Sequence, residues 1–399
     1  MKIITVSMMK NEEAMVESAV RYWMTFSDEV LVFDHGSSDG TPEILQALRG
    51  EFPERLTLFH PEFEMGLEKQ QDKVINAMLK DAFEERGADL VLPLDADEFP
   101  YLEINTGETV REYLSSLDQN LCYSVFWTIF APPEDDHIDY SRLVPLSYRL
   151  KRKTPIRRWQ KCIVTGKAYR QDPICVTMGN HEIFRPSGKP VPPVIQLEAT
   201  LYYAHYKYRS LAHFRYKVAN GWIASHSRRD WAPGESEHYH LACEQIMAGQ
   251  VSREDLEWFT LSESGRTGES KDEIHSCKET IDPLDFFPNL PLRYTERYAH
   301  NVGEFALFLR IALDLTEQYR DTRQALEDCR QENTTLKQEN TALVKHVLDL
   351  EAAAKRLYAM TEHQKAELAR LKQTEAAWNE AGPIRRLLGI SSSAAEGSL

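Results

Sequence analysis

The chain has 399 residues, 42% of them hydrophobic and 10% aromatic, with a formal net charge of −15. Apolar content of that order supports a sizeable core and excludes a disordered chain. The acidic balance argues against a general nucleic-acid binder, which needs clustered Lys and Arg, so any anion site must be local.

Two further exclusions follow from the same reading. The six cysteines (Cys122, Cys162, Cys175, Cys243, Cys277 and Cys329) form no C-x-x-C pair, which suits reduced thiols better than a disulfide frame or a zinc cage. The opening "MKIITVSMMKNEEAMV" lacks the apolar core of a signal peptide, and no run of about 18 apolar residues occurs, so the expected location is the cytoplasm.

In chain order, "KIITVSM" and "EVLVFDH" read as buried strands, and "NEEAMVESAVRYWMTF" between them carries apolar residues near helical spacing. This is a βαβ unit. "SSDGTPEILQALRGE" predicts a turn and a helix with Pro42 near its start, "RLTLFH" a third strand, "LEKQQDKVINAMLKDAFEERG" a long helix and "ADLVLPLD" a fourth strand. Such alternation predicts a parallel sheet covered on both faces, with ligands beyond the carboxyl ends of the strands. Asn11, Glu12, Asp34 and the run from Asp95 to Glu98 lie at those ends and should converge in one crevice.

From 121 to 205 the strands shorten to "LCYSVFWTIF", "LSYRLKRK", "QKCIVTGKAY" and "ATLYYAHY", and the sheet is expected to become mixed. A helix, "SLAHFRYKVANGWIASHS", follows, and 228 to 292 reads as an irregular polar region without an assigned role. Beyond it, Leu336, Leu343, Leu350, Leu357 and Leu371 recur on a seven-residue frame, with Asn333, Asn340, Val347, Ala354 and Leu368 at the other seam position. That pattern predicts a coiled coil, and seam asparagines favour a parallel homodimer; the alternative is one long helix folded back on its own domain. The expected division is 1–225 as the catalytic domain, 226–304 as an extension, 305–380 as the long helix and 381–399 as a flexible tail. Within the tail, "IRRLLGI" is a weak candidate for contact with the inner face of a membrane.

Asp95 and Asp97 are one residue apart at the end of a buried strand, so strand alternation would aim both carboxylates the same way, an arrangement that suits a hard divalent cation shared with a diphosphate. A solvated loop or a helix cap is the structural alternative. Between 149 and 170 nine Lys and Arg residues, Arg158 and Lys161 among them, occur with no acid, which is either a solvated face or an anion site. His181 and His205 each follow or end a predicted strand where a further metal ligand would have to come from.

"SMMKNEE", "VFDHGSSDGT" and "PLDADEF", in this order across the first 100 residues, resemble the GT-A fold nucleotide-sugar glycosyltransferases, specifically a bacterial branch of the family 2-like group. "WQKCIV", "GNHEI" and "HYKYRS" extend the resemblance to about residue 220. It implies a Rossmann-like mixed α/β sheet with flanking helices, a nucleotide-sugar donor, UDP-sugar favoured, a saccharide acceptor, and Mn²⁺ or Mg²⁺ on the donor diphosphate. Asp97 would hold the metal, with Asp95 and His205 as further ligands. Asp34 would contact the nucleoside, and Asn11, Glu12, Lys73, Asp95, Arg158 and Lys161 would lie beside the donor. Asp97, His181 and Glu182 are the expected catalytic residues, Glu182 as the base that deprotonates the acceptor for direct displacement with inversion; Asp135, Asp136 and Asp139 are its rivals. His35 departs from the family pattern at the nucleobase position. A nucleotidyltransferase is the competing enzyme class, although "SMMKNEEAM" has no glycine for a phosphate loop, and a non-enzymatic coiled-coil scaffold is the other alternative.

Overall fold

The computed structural model describes residues 1–37, 39–59, 71–103, 107–132, 142–153, 156–197, 200–211, 213–215, 217, 218, 222, 242, 243, 245, 246, 251–262, 268–295 and 337–380. The chain forms two compact units, Met1–Ser225 with Ala232–Leu307, and His226–Trp231 with Phe308–Leu399.

The first unit is a mixed α/β sheet with flanking helices. Strands β1 (Ile3–Met9), β2 (Glu29–Asp34), β3 (Leu56–Phe59) and β4 (Leu90–Pro93) are parallel in the order β3-β2-β1-β4. Their side chains alternate between two cores, because successive residues point to opposite faces. Ile3, Val30, Val32, Leu90 and Leu92 belong to the core that also holds residues of helices α1 (Val16–Trp23) and α2 (Thr41–Glu51). Ile4, Val6, Leu31 and Val91 share the other core with Val74, Ile75 and Met78 of α3 (Gln71–Lys80). Burial on both faces is why these strands read as nearly continuous apolar runs.

Beyond β4 the sheet turns mixed, as expected. Strand β5 (Glu98–Leu102) and helix α4 (Val110–Ser116) are followed by β6 (Cys122–Ala131), β7 (Leu150–Arg152) and β8 (Ile156–Thr165), with β8 antiparallel to both β4 and β6. After helix α5 (Gly166–Gln171) come the short pair β9 (Cys175–Val176) and β10 (Ile183–Phe184), then β11 (Val194–Gln196) and β12 (Leu201–His205). Strand β12 lies antiparallel to β5 and parallel to β6, which brings His205 opposite Glu98 and beside Ile129.

The structure departs from the sequence reading in several places. "QKCIVTGKAY" is not one strand: it turns into α5 at Gly166, whose amide donates to the Asp89 carbonyl at 2.7 Å. A Cβ at Gly166 would lie 2.6 Å from the Ala88 carbonyl oxygen, so only glycine permits this turn. The "LSYRLKRK" strand is reduced to three residues, preceded by one 3-10 turn over Val144–Ser147 with Pro145 near its start. In the region read as irregular, helices α6 (Arg253–Leu261) and α7 (Lys271–Cys277) both begin with a capping box, Ser252 with Asp255 and Ser270 with Glu273. Strand β13 (Lys278–Thr280) then pairs antiparallel with β7.

The chain is fastened back onto α1 by Glu17, which is fully buried. Its carboxylate accepts from the backbone amides of Arg293, Tyr294 and Thr295 at 2.7, 2.8 and 2.9 Å, from the Thr295 hydroxyl at 2.8 Å and from Arg21 Nε at 2.9 Å.

In the second unit, helix α8 spans Lys337–Glu380, 44 residues, or about 66 Å at 1.5 Å per residue. Leu348, Leu368 and Leu371 are exposed on it. Asn333 and Leu336 lie outside the described residues, as do 305–336 and 381–399 generally. Among the described residues no helix is long and apolar enough to cross a membrane.

Candidate active site

A cavity of about 240 Å³ lies beyond the carboxyl ends of β1 and β4, where the parallel half of the sheet meets β6 and β12. Met8, Met9, Lys10 and Glu12 line it from the end of β1, Asp95, Ala96 and Asp97 from the end of β4, Trp127 from β6, and His205, Lys207 and Lys217 from β12 and the chain after it.

The two aspartates reach this wall by a different route from the one alternation suggests. Strand β4 ends at Pro93, and residues 95–98 form a turn closed by the Glu98 amide donating to the Asp95 carbonyl at 3.0 Å. Glu98, fully buried, fixes the turn from below. Its carboxylate accepts from the Asp95 amide at 3.0 Å and from Trp127 Nε1 at 2.9 Å, and pairs with Lys161 at 3.0 Å. Lys161 Nζ also lies 2.6 Å from Asp95 Oδ2 and 5.3 Å from the centre of the Trp127 ring. Burial pushes the Glu98 carboxyl up to about 7, against the pull of Lys161. The Lys161 ammonium is disfavoured by burial, but Asp95 and Glu98 overcome this and raise its pKa.

Asp97 has two basic neighbours, Lys217 with Nζ at 2.6 Å and His205 with Nε2 at 3.7 Å. Burial alone would raise its carboxyl; Lys217 and His205 outweigh that and hold it well below the usual range, so Asp97 is an anion at neutral pH. The His205 ring stacks on Trp127 with centres 4.3 Å apart, and its Nδ1, buried, has no hydrogen-bond partner among the described residues. The third carboxylate on the wall, Glu12, pairs with the buried Arg209 guanidinium; burial raises its pKa more than Arg209 and Lys217 lower it.

The other expected site residues fall outside the lining. Asp34, buried at the end of β2, accepts from the Ser37 amide at 3.0 Å and the Ser37 hydroxyl at 2.6 Å, which closes the turn before α2. Ser37 in turn accepts from the Asn11 amide at 2.9 Å, and Asn11 adopts a left-handed backbone at φ 57°. Lys73 is exposed on α3. His181 packs edge-on against Trp127 and its Nδ1 lies 2.8 Å from the Gln160 carbonyl. Glu182 is exposed on the following residue and does not line the cavity. The Arg158 side chain and Asp135, Asp136 and Asp139 lie outside the described residues.

The basic run from 149 to 170 divides. Lys151 pairs with Glu103 at 2.6 Å and Arg152 with Glu269 at 2.7 Å, both remote in role from the cavity, and Lys161 alone among these three supports it. Trp127, Lys207, Arg209 and Lys217 went unassigned from sequence, and Glu98 was placed at the crevice without a role. The signal for two of them was present in "HYKYRS", where His205, Lys207 and Arg209 alternate and all three are buried.

Among the described residues no group of three or more His, Cys, Asp and Glu side chains is placed to hold a metal ion by itself. An open site fits the residues present, because hard divalent cations on phosphate substrates use one or two carboxylates and take their remaining oxygens from phosphate and water. Asp97, with His205 beside it, offers the protein's share of such a site, and Asp95 lies on the same cavity wall.

No protein-family model matches the chain, and no curated protein does. Among solved structures, it is similar to a mannosyltransferase from Pyrobaculum calidifontis in complex with GDP-Man and Mn²⁺, at 12% identity over 80% of this chain and 86% of that one, with a TM-score of 0.31. A glucosyl-3-phosphoglycerate synthase from Mycobacterium tuberculosis in complex with phosphoglyceric acid matches at 16% identity over 52% and 72% of the two chains, TM-score 0.28. A galactosyltransferase in complex with donor and acceptor sugar analogs matches at 11% identity over 62% and 100%, TM-score 0.25. Scores of this size establish no shared chemistry.

Proposed function

We propose that the cavity binds a nucleotide-diphosphate sugar through a divalent cation and passes the sugar to a hydroxyl of a saccharide acceptor, with inversion. The observation that carries the proposal is the meeting of Asp95 and Asp97 with Lys10, Lys207 and Lys217 in one cavity at the carboxyl ends of β1 and β4. Carboxylates and ammonium groups on the same wall suit a polyanion held partly through a cation and partly directly.

Asp97 and Asp95, with His205, are the proposed ligands. Mn²⁺ or Mg²⁺ there would supply positive charge to the leaving diphosphate. Lys10, Lys207 and Lys217 line the same space and offset the charge that develops on the leaving oxygen. Glu98 and Lys161 orient the turn that carries both aspartates. Asp34, Asn11 and His35 are proposed at the nucleoside end, with UDP as the preferred nucleotide. For the acceptor hydroxyl a base is needed. Asp95 and Asp97 are committed to the cation and Glu12 to Arg209, so Asp135, Asp136, Asp139 and Glu182 are to be tested as alanine variants.

Leu368 and Leu371, exposed on α8 and both on the seven-residue frame, support a further proposal, that this helix pairs with a second copy in parallel. The test of the main proposal is stabilisation of the full chain by UDP with and without Mn²⁺, followed by a screen for hydrolysis of nucleotide sugars. Asp97→Ala should abolish the Mn²⁺-dependent part of the stabilisation and nearly all turnover. Undiminished turnover by the folded variant with added Mn²⁺ would reject the assignment.

A further inference from the structure

The three carboxylates on the cavity wall are each matched by a cation from a distant part of the chain: Glu12 by Arg209, Asp95 by Lys161 and Asp97 by Lys217. Two of these cations are locked. Arg209 and Lys161 keep 3% and 1% of their side-chain surface, whereas Lys217 keeps 26%. Lys217 is also the only one of the three that lines the cavity. It carries its charge on a flexible four-carbon stem without the rigid fork of a guanidinium.

A divalent cation arriving at Asp97 would meet that ammonium, 2.6 Å from Oδ2. Like charges at such a distance in a partly desolvated site repel strongly, so both cannot hold the same oxygen. Lys217 lines the cavity in which the diphosphate is proposed to lie. We propose that Lys217 is an exchangeable counter-ion: it neutralises Asp97 while the site is empty, and on arrival of the divalent cation it moves from the carboxylate to the diphosphate of the donor. The inference rests on the cation site proposed above and adds a dual role for one residue. The empty site keeps Asp97 paired and ordered, and cation and nucleotide binding become mutually reinforcing, since the displaced ammonium gains a new anion only when both are present.

The test is Lys217→Met in the full chain, which keeps the stem and removes the charge. Without nucleotide, Mn²⁺ binding, read by the electron paramagnetic resonance of free Mn²⁺, should tighten about tenfold, equivalent to about 1.4 kcal/mol. With Mn²⁺ saturating, UDP binding by calorimetry should weaken by about tenfold. A residue that merely supported the fold would move both affinities in the same direction. Unchanged or weakened Mn²⁺ binding in a folded Lys217→Met, or UDP binding equal to wild type, overturns the proposal. If the variant is less stable, Mn²⁺ should raise its thermal midpoint by more than it raises that of the wild type, and an equal or smaller rise also counts against it. Absence of Mn²⁺ binding by the wild type rejects the cation site itself, whereas wild-type binding that depends on Asp97 but ignores Lys217 rejects only the exchange.

Discussion

Removing the Lys161 charge tests what holds the Asp95–Glu98 turn in place. In Lys161→Met, Asp95 loses a partner 2.6 Å away but keeps 31% of its side chain in solvent, so water replaces most of the interaction. Glu98 has no such outlet. It is fully buried and, among the described residues, retains two neutral donors, Trp127 Nε1 at 2.9 Å and the Asp95 amide at 3.0 Å. Breaking a buried pair by deleting one member costs about 3–5 kcal/mol, because a charge is left uncompensated.

Part of that cost can be avoided by protonation. The Glu98 carboxyl, already pushed up to about 7 with Lys161 present, rises further without it. Its folded pKa then lies far above the unfolded value of 4.5, so the folded state binds more protons across that window and stability falls as pH rises through it. Urea denaturation followed by the fluorescence of the seven tryptophans, Trp23 and Trp127 of the buried core among them, should therefore show a larger loss at pH 8.5 than at pH 6. The double variant Lys161→Met/Glu98→Gln, which removes the stranded charge, should recover about 2 kcal/mol of the loss. A single-variant loss below about 1 kcal/mol, a loss that does not depend on pH, or a double variant no more stable than the single would each refute the reasoning.

Glu17→Gln should cost about 3 kcal/mol, since five donors then face a neutral amide. Burial works against the Glu17 charge, but the amides of Arg293, Tyr294 and Thr295 with Arg21 outweigh it and hold the pKa below 4.5, so this contribution is complete above pH 4.5 and fades as pH falls through the lower folded value. The wild-type advantage in acid titration should close below pH 4.5. Ser252→Ala and Ser270→Ala each remove a capping box and should lower stability by about 1 kcal/mol in the same denaturation assay. Truncation after residue 305 should give a monomer by light scattering if α8 mediates pairing, and a truncated dimer would place the contact elsewhere.

The parallel half of the sheet was legible because its strands are buried on both faces and alternate with amphipathic helices, so "KIITVSM", "EVLVFDH" and "ADLVLPLD" carry their own signal. Later elements were harder. The break at Gly166 is imposed by the Ala88 carbonyl, a contact some 80 residues away in sequence that no local pattern announces. Helices α6 and α7 were readable from S-x-x-D and S-x-x-E spacing, but the polar composition around them outweighed that cue. At the site, the carboxylates were legible and their partners were not. Asp97 meets Lys217 across 120 positions, and Asp95 meets Lys161 across 66. Such pairings are set by the packing of β6, β8 and β12, where neither periodicity nor composition distinguishes a lysine that enters the site from one that stays in solvent.

The Glu17 clamp joins two parts of the sheet-bearing unit that lie 276 to 278 positions apart in the chain. Four hydrogen bonds on one carboxylate hold residues 293–295 to α1, and Arg21 of α1 itself supplies a fifth. Helix α1 and residues 293–295 should therefore open as one cooperative segment, with their amide protons exchanging at a common rate.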